Sequence, residues 1–325
     1  MDNVELLNIA IVIPNVNGLI DLKCVYESIS NQSYKNYKII MVDNGSVDDS
    51  VPFTKETYPE HAVISLDKNY GFSVAVNKGI AYALESIKAD IILLLNNDIE
   101  LSENFLEEAI RTFAEVPDAG FIAVKMLNFF NRNKIDDAGD LIKSFGGYPL
   151  ARGHGEIDNG QYNIPEYIFG ACAGAAFYKS ELFVNAGMFD EDFFAYYEDI
   201  DLSLRFHLYG YKCFYNPKLV CYHKRGETVK KFRGWETYYT ERNIVSLRIK
   251  NYPLSLYAKY SLSFFLARIK RYYIFLIRYP KGTFMFALKG YFSGVMHIPE
   301  SILKRKLIQS NRKVSIEYLE KTFLK

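Results

Sequence analysis

Ile91-Ile92-Leu93-Leu94-Leu95-Asn96-Asn97-Asp98 decides the fold class. A half-exposed strand alternates apolar and polar residues, so an unbroken aliphatic run this short reads as a strand covered on both faces. It then stops abruptly in three polar residues. Working outward, the same design repeats. Ile9–Pro14 ends in Asn15-Val16-Asn17, Tyr37–Val42 ends in Asp43-Asn44-Gly45-Ser46, and Ala62–Leu66 leads to Asn69-Tyr70-Gly71. Between these runs, Asp21–Asn31, Ser73–Ser86 and Glu103–Glu115 carry apolar residues at three-to-four spacing and predict helices, the last with Ser102 as its N-cap. Strands alternating with helices predict an α/β chain on a mostly parallel sheet.

The composition is consistent with that class. The chain has 325 residues, 49% hydrophobic and 24% charged, which suffices for a large core and excludes disordered, collagenous and coiled-coil chains. No charge-free apolar stretch reaches the roughly 18 residues that a membrane span needs. The opening Met1-Asp2-Asn3-Val4-Glu5 is acidic where a secretory leader is basic, so a cytoplasmic location is expected. Cys24, Cys172, Cys213 and Cys221 have no metal or disulfide spacing and are expected as free thiols.

The formal net charge of +1 hides an asymmetry. Residues 1–223 hold 17 basic and 32 acidic side chains, a net −15, whereas residues 224–325 hold 22 and 6, a net +16. A basic segment of that size predicts a polyanionic partner: nucleic acid, anionic lipid, or the acidic half of the same chain. Its cations alternate with dense aromatic and aliphatic residues and no nucleic-acid motif is present, which argues against nucleic acid. From Trp235 onward the pattern is helical, and Tyr257–Ile277 is amphipathic. The stretch from Asn128 to Tyr167 is punctuated by glycine and proline and predicts loops with a hairpin.

In an open parallel sheet, ligands sit at the carboxyl ends of strands, where the polar clusters fall. Neither a G-x-G-x-x-G nor a G-x-x-x-x-G-K-[ST] motif is present, so a nucleotide would be held with a cation instead. A hard divalent ion bridging a diphosphate takes few protein ligands, and Asp98 is placed for that role. Farther on, Glu198, Asp199 and Asp201 crowd three carboxylates among aromatics at the start of a helix. They serve either as a general base with a raised pKa or as compensation for the helix dipole. The small-residue run Phe169–Phe177 allows either a close approach to a ligand or tight packing. His223, closing an apolar run beside Lys224 and Arg225, reads as a metal or phosphate ligand or as structural.

Five segments carry a resemblance: Ile11–Asn15, Val42–Ser46, Asn69–Phe72 with Asn77-Lys78-Gly79, Leu95–Asp98, and the block Gly170–Arg205 with its Glu198-Asp199 pair. In this order they resemble a family 2 glycosyltransferase of the GT-A fold, most similar to the rhamnosyltransferase-like branch of bacterial polysaccharide biosynthesis. The resemblance implies a GT-A domain over residues 1–225 and a basic helical region over 226–325 for membrane or acceptor docking. It implies an inverting transfer of a sugar, with rhamnose the leading candidate, from a dTDP- or UDP-sugar to a lipid-linked saccharide, assisted by Mg²⁺ or Mn²⁺. By position it assigns Asp199, with Glu198 beside it, as catalytic base, and Asp98 and His223 as metal ligands. Pro14, Asn15, Asn17, Asp43, Asn69, Gly71, Asn77, Asn96 and Asn97 are assigned to the nucleotide, and Arg152, with His154 near it, and Asp201 to substrate. Asn96 stands where the family's D-x-D motif often begins with aspartate. The basic tail would bind an anionic membrane surface, peripheral at the inner face of the cell membrane. A catalytically inactive, sugar-binding or scaffold protein of the same fold is the alternative.

Overall fold

The structure, a computed structural model, describes residues 7–224, 234–280 and 282–323. The first half alternates β1 (Ile9–Asn15), α1 (Leu19–Ser30), β2 (Tyr37–Asn44), α2 (Ser50–Thr57), β3 (Ala62–Leu66), α3 (Phe72–Tyr82), β4 (Ile91–Leu95), β5 (Ile99–Leu101), α4 (Phe105–Glu115) and β6 (Ala119–Asn128). Short strands β7 (Ile135–Asp137), β8 (Asp140–Ile142), β9 (Pro149–Ala151) and β10 (Glu166–Ile168) follow in the loop-rich stretch, with β8 and β9 pairing as the expected hairpin. Then come β11 (Ala175–Lys179), α5 (Ser180–Ala186), α6 (Glu198–Leu208) and β12 (Lys212–His223). The chain finishes in α7 (Trp235–Asn251), α8 (Leu254–Arg278), α9 (Thr283–Met296), α10 (Ile298–Ser310) and α11 (Ile316–Phe323).

One sheet runs β10-β12-β6-β11-β4-β1-β2-β3, with β5 and β7 added at β12 and β6. The four strands read from the sequence form its parallel half, β4-β1-β2-β3. Strand residues serve both faces. Ile9, Ile11 and Ile13 point into one apolar cluster with α1 and α4, and Ala10 and Val12 into another with α3 and α6. Gly79 lets α3 lie close on β1, because a Cβ there would fall 2.3 Å from Val12 Cγ1.

Ser102 does not cap α4. The chain turns at Asn104, and the first-turn Leu106 N–H is taken by Gln32 Oε1 at 3.1 Å, while Gln32 Nε2 donates to Ser102 O. A distant side chain thus satisfies the helix start that the local sequence was expected to satisfy.

The boundary between residues 225 and 226 lies outside the described residues. Beyond it, α7–α11 share the apolar cluster of the sheet: Ile244, Leu247, Tyr252, Phe264, Leu319 and Phe323 join Phe121, Phe206 and Tyr215. Part of the basic charge is spent on the acidic half of the chain. Lys250, 1% exposed, reaches Asp201 at 2.9 Å and also Asp190, and Lys304 reaches Asp190 and Asp192 at 2.5 and 2.6 Å. The remaining outward face is apolar. Along α8, Leu254, Leu262, Phe265, Ile269, Tyr273 and Leu276 are all exposed, with Lys270 and Arg278 among them. Among the described residues no helix is long and apolar enough to cross a membrane.

Candidate functional site

A cleft of about 250 Å³ opens where β1, β2 and β4 end, lined by Pro14, Asn15, Asn44, Asn69, Gly71 and Asn96–Asp98 on one side. Its polar wall is an amide network. Asn97 Nδ2 donates to Asn15 Oδ1 at 2.7 Å, and Asn15 Nδ2 donates to Asp43 Oδ1 at 3.2 Å and Ser46 Oγ at 3.3 Å. Asp43 is buried beneath Asn15 and fixes it, while exposed Asn17 holds the Ser46–Val47 turn. Next to it, Asn44 donates to Asn69 and to the Gly71 carbonyl, and accepts from the Tyr70 N–H. Gly71 sits at φ +92°, with Phe194 O 2.5 Å from where a Cβ would be, so only glycine fits the lip.

Asp98 meets His223 because β5 pairs with the end of β12, with Ile99 opposite His223 and the Lys224 N–H donating to Asp98 O. His223 Nε2 lies 3.4 Å from Asp98 Oδ1, and His223 Nδ1 lies 2.7 Å from the buried Asp136. Burial works against the imidazolium, but the Asp136 and Asp98 carboxylates override it and raise the pKa to about 9. A carboxylate fixing Nδ1 while Nε2 faces a second carboxylate is a donor set that suits a divalent ion once the ion displaces the Nε2 proton. Among the described residues no group of three or more His, Cys, Asp or Glu side chains converges on such a site. The pair therefore fits an ion carried largely by a diphosphate.

The acidic turn is strained. Tyr196 and Tyr197 take φ +69° and +68°, immediately before α6 opens with Glu198 and Asp199. Left-handed backbone at bulky residues persists only where neighbours enforce it. Here Asn243 of α7 does so, donating to Ala195 O at 2.9 Å and Tyr196 O at 2.7 Å. Asp199 accepts from the Ile200 N–H at 2.8 Å and the Ala173 N–H at 3.4 Å, and the neighbouring Gly174 carbonyl takes the Asn96 N–H at 2.7 Å. Two residues thus join the carboxylate to the β4 tip. Burial and the adjacent Asp199 push Glu198 up to about 8, so it is protonated at neutral pH.

Four residues expected at the site lie elsewhere. Asn77 is a strut, bonded to both the Phe189 N–H and its carbonyl and to Glu191. Asp201 is fully buried among Lys250, Arg205 and Asn251. Arg152 donates to Ala138 O and Glu166 and stacks on Tyr215 and Tyr162, in the layer over β10 and β12, and His154 beside it bonds the Asp136 carbonyl. In the small-residue run, Gly170 packs against Ser203, the tight-packing reading, while the Ala173 N–H donates to Asp199 and Gly174 packs beside Asn96. Sequence reasoning missed Asp136, Asn243, and the aromatic wall of Phe194, Tyr196, Trp235 and Tyr239. Trp235, the chain's single tryptophan at the start of a helix, was the available signal.

The comparisons with known proteins bear on this geometry. A family model described as "Glycosyl transferase family 2" matches residues 10–183. The low-salt glycan biosynthesis hexosyltransferase Agl10 of Haloferax volcanii is 25% identical over 204 residues, 61% of this chain and 61% of its own, so the chain spans less than two thirds of that relative. Rhamnosyltransferase WbbL of Escherichia coli is 29% identical over 237 residues, 67% of this chain and 86% of its own. The N-acetylglucosaminyl-diphospho-decaprenol L-rhamnosyltransferase of Mycobacterium tuberculosis is 24% identical over 62% of this chain and 71% of its own. Among solved structures, GalNAc-T7 with UDP, GalNAc and Mn²⁺ superposes with a TM-score of 0.67 at 15% identity, covering 97% of this chain and 57% of that one. S. aureus TarS 1-349 superposes at 0.59 and 13%, covering 93% and 90%. The fold is GT-A, a curled mixed sheet between helices. With the match running from β1 into α5, the chain belongs to glycosyl transferase family 2.

Proposed function

We propose that this chain transfers a sugar from a nucleoside diphosphate to a saccharide hydroxyl. The observation that supports it best is that one cleft is lined by the amide wall, by Asp98, which pairs with His223, and by the Phe194–Tyr196 segment that leads into Asp199. The amide wall of Asn15, Asn69 and Asn97, steadied from below by Asp43, presents donors and acceptors to base and ribose. Asp98 and His223 would hold Mg²⁺ or Mn²⁺, which supplies positive charge to the diphosphate. Asp199 takes the proton of the acceptor hydroxyl as the hydroxyl oxygen attacks the anomeric carbon and the bond from that carbon to the diphosphate breaks, releasing the nucleoside diphosphate in a single inverting displacement. Glu198, protonated beside it, adds no second negative charge at neutral pH.

Rhamnose from a dTDP- or UDP-sugar is the leading donor, supported by relatives whose names carry rhamnosyl transfer. The acceptor is a lipid-linked saccharide, as in the name of the mycobacterial relative. The exposed apolar stripe of α8, with Lys270 and Arg278, then rests on an anionic bilayer at the cytoplasmic face. On this reading residues 1–225 carry the catalytic carboxylates and the amide wall, and 226–325 supply the docking face together with α7, which completes the cleft.

The test is calorimetric titration with UDP, dTDP and GDP, with and without Mn²⁺, on wild type and Asp98→Ala. Metal-dependent binding of one nucleotide, weakened at least tenfold in the variant, is expected. Absence of binding by all three to folded protein would refute the reading. Co-sedimentation with anionic but not neutral vesicles tests the membrane part, and equal recovery with both would refute it.

A further inference from the structure

The walls of the cleft are chemically unlike. The sheet side is asparagine-rich, whereas the facing side is aromatic, built by Phe194, Tyr196, Trp235 and Tyr239. Phe194 and Tyr239 stack with ring centroids 5.2 Å apart at 14°, and Trp235 stands edge-on to both at 6.0 and 5.9 Å. Trp235, Tyr239 and Asn243 recur every four residues on α7 and so share one helix face. The last of them clamps the turn that leads into Asp199. A single face of α7 therefore both lines the cleft and sets the position of the carboxylate.

From this we propose that Trp235 and Tyr239 form the acceptor subsite, taking the apolar C–H face of a pyranose ring and presenting its hydroxyl toward Asp199. The proposal rests on the transferase reading above. A polar wall suits ribose, base and diphosphate, all rich in hydrogen-bonding atoms, while a sugar ring held by one face needs a flat apolar surface. The aromatic wall and the base are joined by contiguous chain, Phe194 to Asp199. Phe194, Ala195 and Tyr196 line the cleft and lead directly into Asp199, so a ring on that wall lies beside the segment that bears the base.

Trp235 is the chain's only tryptophan, so its fluorescence reports the wall directly. The full chain, saturated with the nucleoside diphosphate that binds best, is titrated with methyl glycosides of glucose, N-acetylglucosamine and rhamnose, up to about 100 mM. A saturable change in emission with at least one glycoside is expected. Affinity should fall about tenfold in Tyr239→Ala and stay within about twofold in Tyr239→Phe, with nucleotide affinity unchanged in both. No saturable change with any glycoside, while the nucleotide still binds, overturns the subsite and leaves the transferase reading standing. Loss of glycoside binding when the matching nucleotide-glucose replaces the nucleotide also overturns it, because the wall then holds the donor sugar. Failure of the nucleotide itself to bind overturns both.

Discussion

Replacing Lys250 with methionine removes an ammonium that two buried carboxylates share, at nearly constant volume. Lys250 is 1% exposed, lies 2.9 Å from Asp201 Oδ1, and also bonds Asp190. Deleting one member of a buried ion pair strands the other, typically at about 3–5 kcal/mol. Asp201 keeps Arg205 at 3.2 Å and Asn251 at 2.7 Å, and Asp190 keeps Lys304 at 2.5 Å, which puts Lys250→Met near the lower end, about 3 kcal/mol. At about 2.1 cal/mol/K per residue, the unfolding entropy of 325 residues is about 0.7 kcal/mol/K, so Tm falls by about 4 °C.

The pH dependence supplies a second readout. Burial works against ionising Asp190, but Lys250 and Lys304 override it and hold the carboxyl well below the usual carboxylate range. A carboxyl depressed in the fold contributes its stability above the unfolded pKa, about 4, and loses it as pH falls below that. The gap between wild type and Lys250→Met, measured by urea unfolding, should be full at pH 7 and shrink toward pH 3. A gap under about 1 kcal/mol at pH 7, or one unchanged from pH 7 to 3, would refute the reasoning.

Glu198 carries the opposite sign: burial and Asp199 raise its pKa to about 8, so as pH climbs from about 4.5 to 8 the unfolded chain releases a proton that the fold retains, and stability falls. Glu198→Gln should flatten stability over that window and keep most transfer activity at pH 7, whereas Asp199→Asn should abolish it; a wild-type-like pH slope in the glutamine variant would count against the protonated state. Gly79→Ala sets a methyl 2.3 Å from Val12 Cγ1 and should cost about 1–3 kcal/mol in chemical denaturation, an unchanged midpoint being the contrary result. Gln32→Leu leaves the buried Leu106 N–H without its acceptor and should cost a similar amount, with faster amide exchange at the start of α4 as its signature.

The parallel half of the sheet was legible because doubly buried strands are written as unbroken aliphatic runs, as Ile91–Leu95 shows. The amide wall followed from what comes after each run. Less legible were features set by distant partners. Nothing near Ser102 announces that Gln32 satisfies α4, and Asn77, Arg152 and Asp201 are residue types whose role depends on whether a partner or a cleft lies opposite. The basic tail predicts a polyanionic partner, the acidic half of the same chain among them, and Asp190, Asp192 and Asp201 take part of that charge. The aromatic wall escaped because Phe194 and Tyr239 lie on separate elements whose meeting no local pattern records.

The cleft draws its walls from β1, near the beginning of the sequence, and from α7, beyond Trp235. During synthesis the amide wall and Asp98 leave the ribosome long before Tyr239 and Asn243 do, at about 5–20 residues per second. Until α7 docks, the turn at Tyr196 and Tyr197 lacks the two Asn243 hydrogen bonds that brace its left-handed backbone just before Asp199. A nascent chain, or a fragment cut before Trp235, thus carries the carboxylates and the amide wall without the aromatic side of the cleft or the Asn243 brace, so the site is completed only with the last third of the polypeptide.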